Sequence, residues 1–219
     1  QVDNENDMIN PGDQFWLFRS ARELDDILLH LRFNELDLGV IIFSSQGSLS
    51  DILFYDNLFH EYSSNWFIKE IKHLWNRTLK RIDLTSRSLV TLIEPGSCFG
   101  GFLSEIIFAS DRSYMAEGIF ENSNDPEAKI TLSKSNFNFF KMSNDITRWE
   151  TRFLNETEKI KELESKILIE LDSQMALDMG LVTFSFDDID WEDEVRIFLE
   201  ERSSLSPDSM TGLEANLRF

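Results

Sequence analysis

An α/β fold with parallel neighbouring strands is predicted by three stretches of the sequence. Leu38-Gly39-Val40-Ile41-Ile42-Phe43 and Ser88-Leu89-Val90-Thr91-Leu92-Ile93 are short continuous apolar runs rich in β-branched residues, as expected of strands buried on both faces. Between them, Asn65 to Arg81 carries Phe67, Ile68, Ile71, Trp75 and Leu79 at intervals that share one helical face, with Lys69, Lys72, Arg77, Lys80 and Arg81 on the other. After the second run, Glu94-Pro95-Gly96-Ser97 forms a turn before a helix from Phe102 to Ser110. Alternating strands and helices of these lengths favour parallel pairing, because each crossover helix returns the chain to the same end of the sheet.

The remaining elements follow in chain order. Residues Gln1 to Gln14 are polar and contain Pro11-Gly12, so a linker or frayed end is expected there. A helix is expected from Ser20, with Ser20 as cap, Glu23 three residues on, and Ala21, Leu24, Ile27, Leu28 and Leu31 at helical spacing. Ser44 to Ser50 reads as a loop, and Lys129 to Ser133 as a strand after a polar excursion from Glu121 to Glu127. The second half is otherwise helical. Helices are expected from about Asp145, from a cap at Asn155, from a cap at Asp190 over Trp191 to Arg202, and from Ser206 with Pro207 in the first position. Phe219 falls on a helical pattern without a stop signal, and the chain opens on Gln1, so a piece of a longer protein is expected.

Composition narrows the function. Forty Asp and Glu against twenty-one Lys and Arg give a formal net charge of -19, a field that repels nucleic acid. No apolar run approaches the roughly eighteen residues of a membrane span, and one cysteine, Cys98, allows no internal disulfide. A soluble, cytoplasmic protein without nucleic-acid or membrane partners is expected. His30, His60 and His73 form no ligand motif, and the acidic run Asp187 to Glu194 lacks the Gly and Glu of a calcium loop, so no metal is expected. Cys98 reads as a packed thiol, and the basic face from Lys69 to Arg81 as solvated or paired with acidic neighbours.

Chemistry concentrates at Gly96-Ser97-Cys98-Phe99-Gly100-Gly101-Phe102-Leu103-Ser104-Glu105. Two glycines entering a helix let a ligand approach the backbone, and the first free N–H groups would face it with the positive end of the dipole. Such donors suit a thioester carbonyl that develops negative charge, with Glu105 as acid or base. The same residues equally make a tight turn followed by a dipole-favourable glutamate.

The run from Glu94 to Gly101, then Glu105 and Asp111-Arg112-Ser113-Tyr114-Met115, is similar to the crotonase superfamily signature of a Gly-rich turn, a glutamate and an aspartate six residues on. Ala176 to Val182 resembles that superfamily's segment after the core. Ala21 to Asp26, Ser86-Arg87-Ser88, Asp187 to Trp191, Leu205 to Asp208 and Thr211 to Phe219 resemble the C-terminal half of the benzoyl-CoA-dihydrodiol lyase family, also called epoxybenzoyl-CoA dihydrolase. The resemblance implies a crotonase-like spiral of repeated ββα units over residues 15–172 and a helical C-terminal region over 173–219. It also implies a CoA-thioester substrate without a cofactor, ring opening of epoxidised benzoyl-CoA in aerobic benzoate degradation, and a homo-oligomer.

In this family a preceding crotonase-like half is the partner and carries the catalytic glutamate pair. Matched to the superfamily, Glu105 is the candidate acid or base, Gly101 and Phe102 are oxyanion donors, and Ser48, beside Gly47, lies on the second donor loop. Lys134 stands where the second glutamate is expected, and a cationic lysine is no carboxylate base. The resemblance thus implies a structural or assembly role for this half, inactive in isolation. The alternative is a free-standing enoyl-CoA hydratase or isomerase using Glu105 and a backbone oxyanion hole.

Overall fold

The computed structural model describes residues 2, 4–121, 123–154 and 156–218; within the last helix, residues 207, 214, 215, 217 and 218 are described by backbone alone. The caps and ends expected at Asn155 and Phe219 lie outside the described residues.

Residues 4–14 form helical turns where a linker or frayed end was expected. Asn4 and Asp7 form a reciprocal capping box for helix α1 (Glu5–Ile9), and a 3-10 turn follows over Gly12–Gln14. Met8 is fully buried in the main core, which overrides the polar composition around it. Helix α2 (Trp16–Asn34) begins earlier than expected, and Ser20 is no cap: its hydroxyl donates to the Trp16 carbonyl at 2.7 Å inside the helix. Leu17, Ala21 and Leu28 form its buried stripe against helix α4 (Trp66–Asp83), and the Trp75 indole N–H of α4 donates to the Leu17 carbonyl at 2.9 Å. The basic face of α4 is partly paired, since Asp25 of α2 accepts from Arg81 at 2.7 Å and from Arg77 at 3.4 Å.

Strands β1 (Val40–Phe43), β2 (Ser88–Ile93), β3 (Arg112–Ala116) and β6 (Phe184–Phe186) form one parallel sheet in that order. A smaller antiparallel pair joins β4 (Ile130–Thr131) to β5 (Glu170–Leu171). The parallel arrangement is the expected one. The period of two along β2 splits the interior: Leu89 and Ile93 face the large core beneath α2, α4 and α5 (Ser104–Ala109), while Val90 faces Trp191, Val195 and Phe198 of α9 (Asp188–Ser203). The expectation of burial on both faces holds for β2 but not for β1, which is an edge strand with Ile42 46% exposed.

Elements not read from the sequence include α3 (Leu49–Glu61), capped by Ser48 at the end of the expected loop, and the short strands β3, β5 and β6. The helix expected from about Asp145 is α6 (Arg148–Arg152), capped by Thr147, and Asp187 rather than Asp190 caps α9. Each cap oxygen accepts from a free amide of its own helix, Thr147 from the Glu150 N–H and Asp187 from the Ile189 and Asp190 N–H groups. Helices α7 (Thr157–Glu164), α8 (Ser173–Asp178) and α10 (Pro207–Arg218) complete the carboxyl half. No helix of the described residues is long and apolar enough to cross a membrane.

Because Met8 anchors the amino segment, Met8→Ala is expected to lower stability by about 2–5 kcal/mol in urea unfolding. A frayed segment would leave it within about 0.5 kcal/mol.

Candidate functional site

The loop after β1 and the turn after β2 are laced together at the carboxyl end of the sheet. The Gly47 N–H donates to the Gly96 carbonyl at 3.1 Å, and the Cys98 N–H donates to the Ser45 hydroxyl at 3.0 Å. A cleft of about 470 Å³ opens beside them, lined by Trp16, Gly47, Ser48, Asp51, Tyr55 and Cys98. Ser48 therefore reaches a cavity, although its hydroxyl is engaged with the Asp51 N–H and with Ser50. Cys98 is buried, and burial pushes its thiol up.

Gly101, Phe102 and Glu105 lie together but deeper, and none of them lines that cleft. The Phe102 N–H, at the mouth of the helical segment, donates to Asp56 Oδ1 of α3 at 2.8 Å. Gly101 has a φ of +49, and a Cβ built on it would lie 2.5 Å from Asp56 Cγ. The glycine pair thus admits a carboxylate of the chain itself: Gly101 makes room for Asp56, while a Cβ at Gly100 would meet Leu49 Cδ1 at 2.5 Å. Asp56 is buried, which pushes its carboxyl up against the pull of hydrogen bonds from Ser133, Ser135 and the Phe102 amide. His60, one turn further along α3, shares a 2.9 Å hydrogen bond with Ser135.

Glu105 belongs to a second buried network. Arg148 of α6 grips Asp83, the last residue of α4, through Nε at 3.0 Å and a second nitrogen at 2.7 Å, and donates to Glu105 at 2.7 Å. The other Glu105 oxygen accepts from Asn136 Nδ2 at 2.8 Å, and Asn136 also donates to the Gly101 carbonyl. All three charged side chains are at most 3% exposed. One guanidinium faces two carboxylates, and Asp83 takes its bidentate fork. Burial pushes the Glu105 carboxyl up to about 7, against the opposing pull of Arg148 and Asn136. Lys134 is exposed at the start of a 3-10 turn over Lys134–Asn136, and Asp111 accepts the Leu89 N–H at 2.7 Å. Among the described residues no group of three or more His, Cys, Asp or Glu side chains is placed to hold a metal ion.

No family model matches the chain. Among curated proteins, benzoyl-CoA-dihydrodiol lyase of Aromatoleum evansii is 45% identical over 210 residues, which make up 95% of this chain and 37% of that protein. The chain is homologous to one part of benzoyl-CoA-dihydrodiol lyase. It spans 37% of the length of the lyase it matches. Among solved structures, enoyl-CoA hydratase from Bacillus halodurans superposes with a TM-score of 0.62 at 17% identity, covering 90% of this chain and 76% of that one. Pseudomonas aeruginosa AtuE gives 0.62 at 16% identity over 90% and 71%, and the Bacillus anthracis enoyl-CoA hydratase 0.61 at 15% over 89% and 70%. At these identities the likeness establishes the fold, which is that of the crotonases.

In this lyase homologue the residues missed from sequence are Asp56, Asp83, Asn136 and Arg148. Asp56 had a legible signal, an acid among Ile52, Leu58 and Phe59 on one helix; Arg148 had none, since its partners are 43 and 65 residues away.

Arg148→Met, which strands two buried carboxylates, is expected to cost about 3–5 kcal/mol in urea unfolding. A folded-state value for Glu105 above its ordinary 4.5 means that the folded chain binds that proton more tightly. Its contribution to stability is therefore full below pH 4.5 and is lost as pH rises through about 7. Glu105→Gln, which keeps the side chain neutral, should remove this slope, so the stability difference should shift in favour of the variant by on the order of 3 kcal/mol as pH rises from 4.5 to above 7. A pH-independent difference would refute the assignment.

Proposed function

We propose that this chain is the structural, assembly-forming part of a benzoyl-CoA-dihydrodiol lyase, and that ring opening of the epoxidised benzoyl-CoA thioester is performed elsewhere in the longer protein. The contact between the Phe102 N–H and Asp56 carries this reading. An oxyanion hole works when fixed donors face the place where negative charge develops. Here that donor already serves a carboxylate of the chain, and the space above Gly101 holds the same carboxylate. Glu105, engaged on both oxygens and 3% exposed, has no route to a bound thioester, and exposed Lys134 supplies no second base. The expected partner is the remainder of the lyase, with homo-oligomer formation as part of the same role. The unpaired edge of β1, with Ile42 exposed, supports a face that another body covers.

The test uses two preparations, the chain alone and the lyase remainder with the chain added in trans. Alone, the chain should leave crotonyl-CoA and benzoyl-CoA derivatives unchanged, and its addition should raise the activity or yield of the remainder. Hydration of crotonyl-CoA by the isolated chain, abolished in Glu105→Gln, would instead establish a free-standing hydratase.

A further inference from the structure

A cavity of about 190 Å³ lies at the opposite end of the sheet from the cleft described above. Gly39 and Ser86-Arg87, which line it, immediately precede β1 and β2, so it opens at the amino ends of these parallel strands. Among the described residues its charged lining is Arg32 from the end of α2, Arg87, and Arg202 from the end of α9, with no carboxylate beside them. This is unusual in a chain of net charge -19.

None of the three arginines forms an ion pair among the described residues. The Arg87 guanidinium donates at 2.7 Å to each of the carbonyls of Leu31, Glu35 and Leu38, which hold it without neutralising it. Arg32 donates to the carbonyls of Arg81 and Leu84, at 3.4 and 3.3 Å. Arg202 donates to the Ser88 hydroxyl at 2.9 Å and lies over the Phe198 ring. Burial, then the like charges of Arg81 and Arg87, pull Arg32 down, as unneutralised positive charge at close quarters requires. The larger groove of about 770 Å³ at the carboxyl ends has the reverse character, with five carboxylates, including Glu94, Asp188 and Glu192, against Arg196. An anion reaching this surface is repelled at one end and attracted at the other.

We infer that the Arg32–Arg87–Arg202 cavity is a binding site for a phosphoryl group. Planar guanidinium forks match phosphate oxygens, Ser86 adds a hydroxyl at the same wall, and Leu205 and Met210 offer an apolar surface to an organic substituent. The site is independent of the assembly role proposed above, because it uses none of the same residues.

Isothermal titration of the full chain at constant ionic strength, with inorganic phosphate and with phenyl phosphate, tests the inference. Saturable binding at one site is expected, weakened roughly tenfold or more in the Arg32→Gln/Arg202→Gln double variant and unchanged in Arg196→Gln. Tighter binding of phenyl phosphate identifies an organic phosphomonoester as the ligand class, and equal binding identifies free phosphate. Should the double variant fail to fold, phenylglyoxal labelling of the unaltered chain gives the same answer, with phosphate protecting Arg32, Arg87 and Arg202 but not Arg196. Absence of saturable heat with both ligands, full binding by a folded double variant, or equal labelling with and without phosphate would each overturn it.

Discussion

Arg148 holds three helices together from inside the core. Its guanidinium links the carboxyl end of α4, through Asp83, to the first turn of α5, through Glu105, while its own helix α6 packs against α5. Three charged groups taken out of water are costly unless every lone pair and proton finds a partner. The Asn136 amide and the Phe140 carbonyl supply the remaining contacts, so the charges are caged rather than exposed. This constraint governs what the Gly-rich turn can do. Glu105, held between Arg148 and Asn136, ties the first turn of α5 into the core.

Asp56 applies the same logic one layer away. It satisfies the Phe102 amide that the 3-10 turn leaves free, and the two glycines are required because α3 packs directly on the backbone there. Gly100 and Gly101 are thus retained for close approach, but what approaches is Leu49 and Asp56 of the chain itself. The turn is thereby a joint on which α3 packs against the backbone.

The electrostatic asymmetry of the molecule follows from its ends. Asp187 caps α9, and the acids that follow it enrich the carboxyl-end groove in negative charge. At the other end, the carbonyls that close α2 draw in Arg87, and Arg202 sits in the last turn of α9, where the helix dipole favours a cation. The helix termini thereby sort charge along the sheet axis, independently of the net value.

Periodicity and punctuation in the sequence alone determined the α/β class, the parallel pair β1 and β2, helix α4, and the Gly-rich turn before α5, because these depend on patterns within a few residues. The short strands β3 and β6 were not legible, since five or three residues bear too little pattern to be distinguished from a loop until a neighbouring strand pairs with them. The burial of Met8, the edge position of β1 and the partners of Phe102 and Glu105 were decided only by the tertiary structure. Each rests on groups 31 to 46 residues apart or on which element covers which face, and hydrogen-bond satisfaction in a low-dielectric interior is a property of that assembled neighbourhood rather than of any local run of residues.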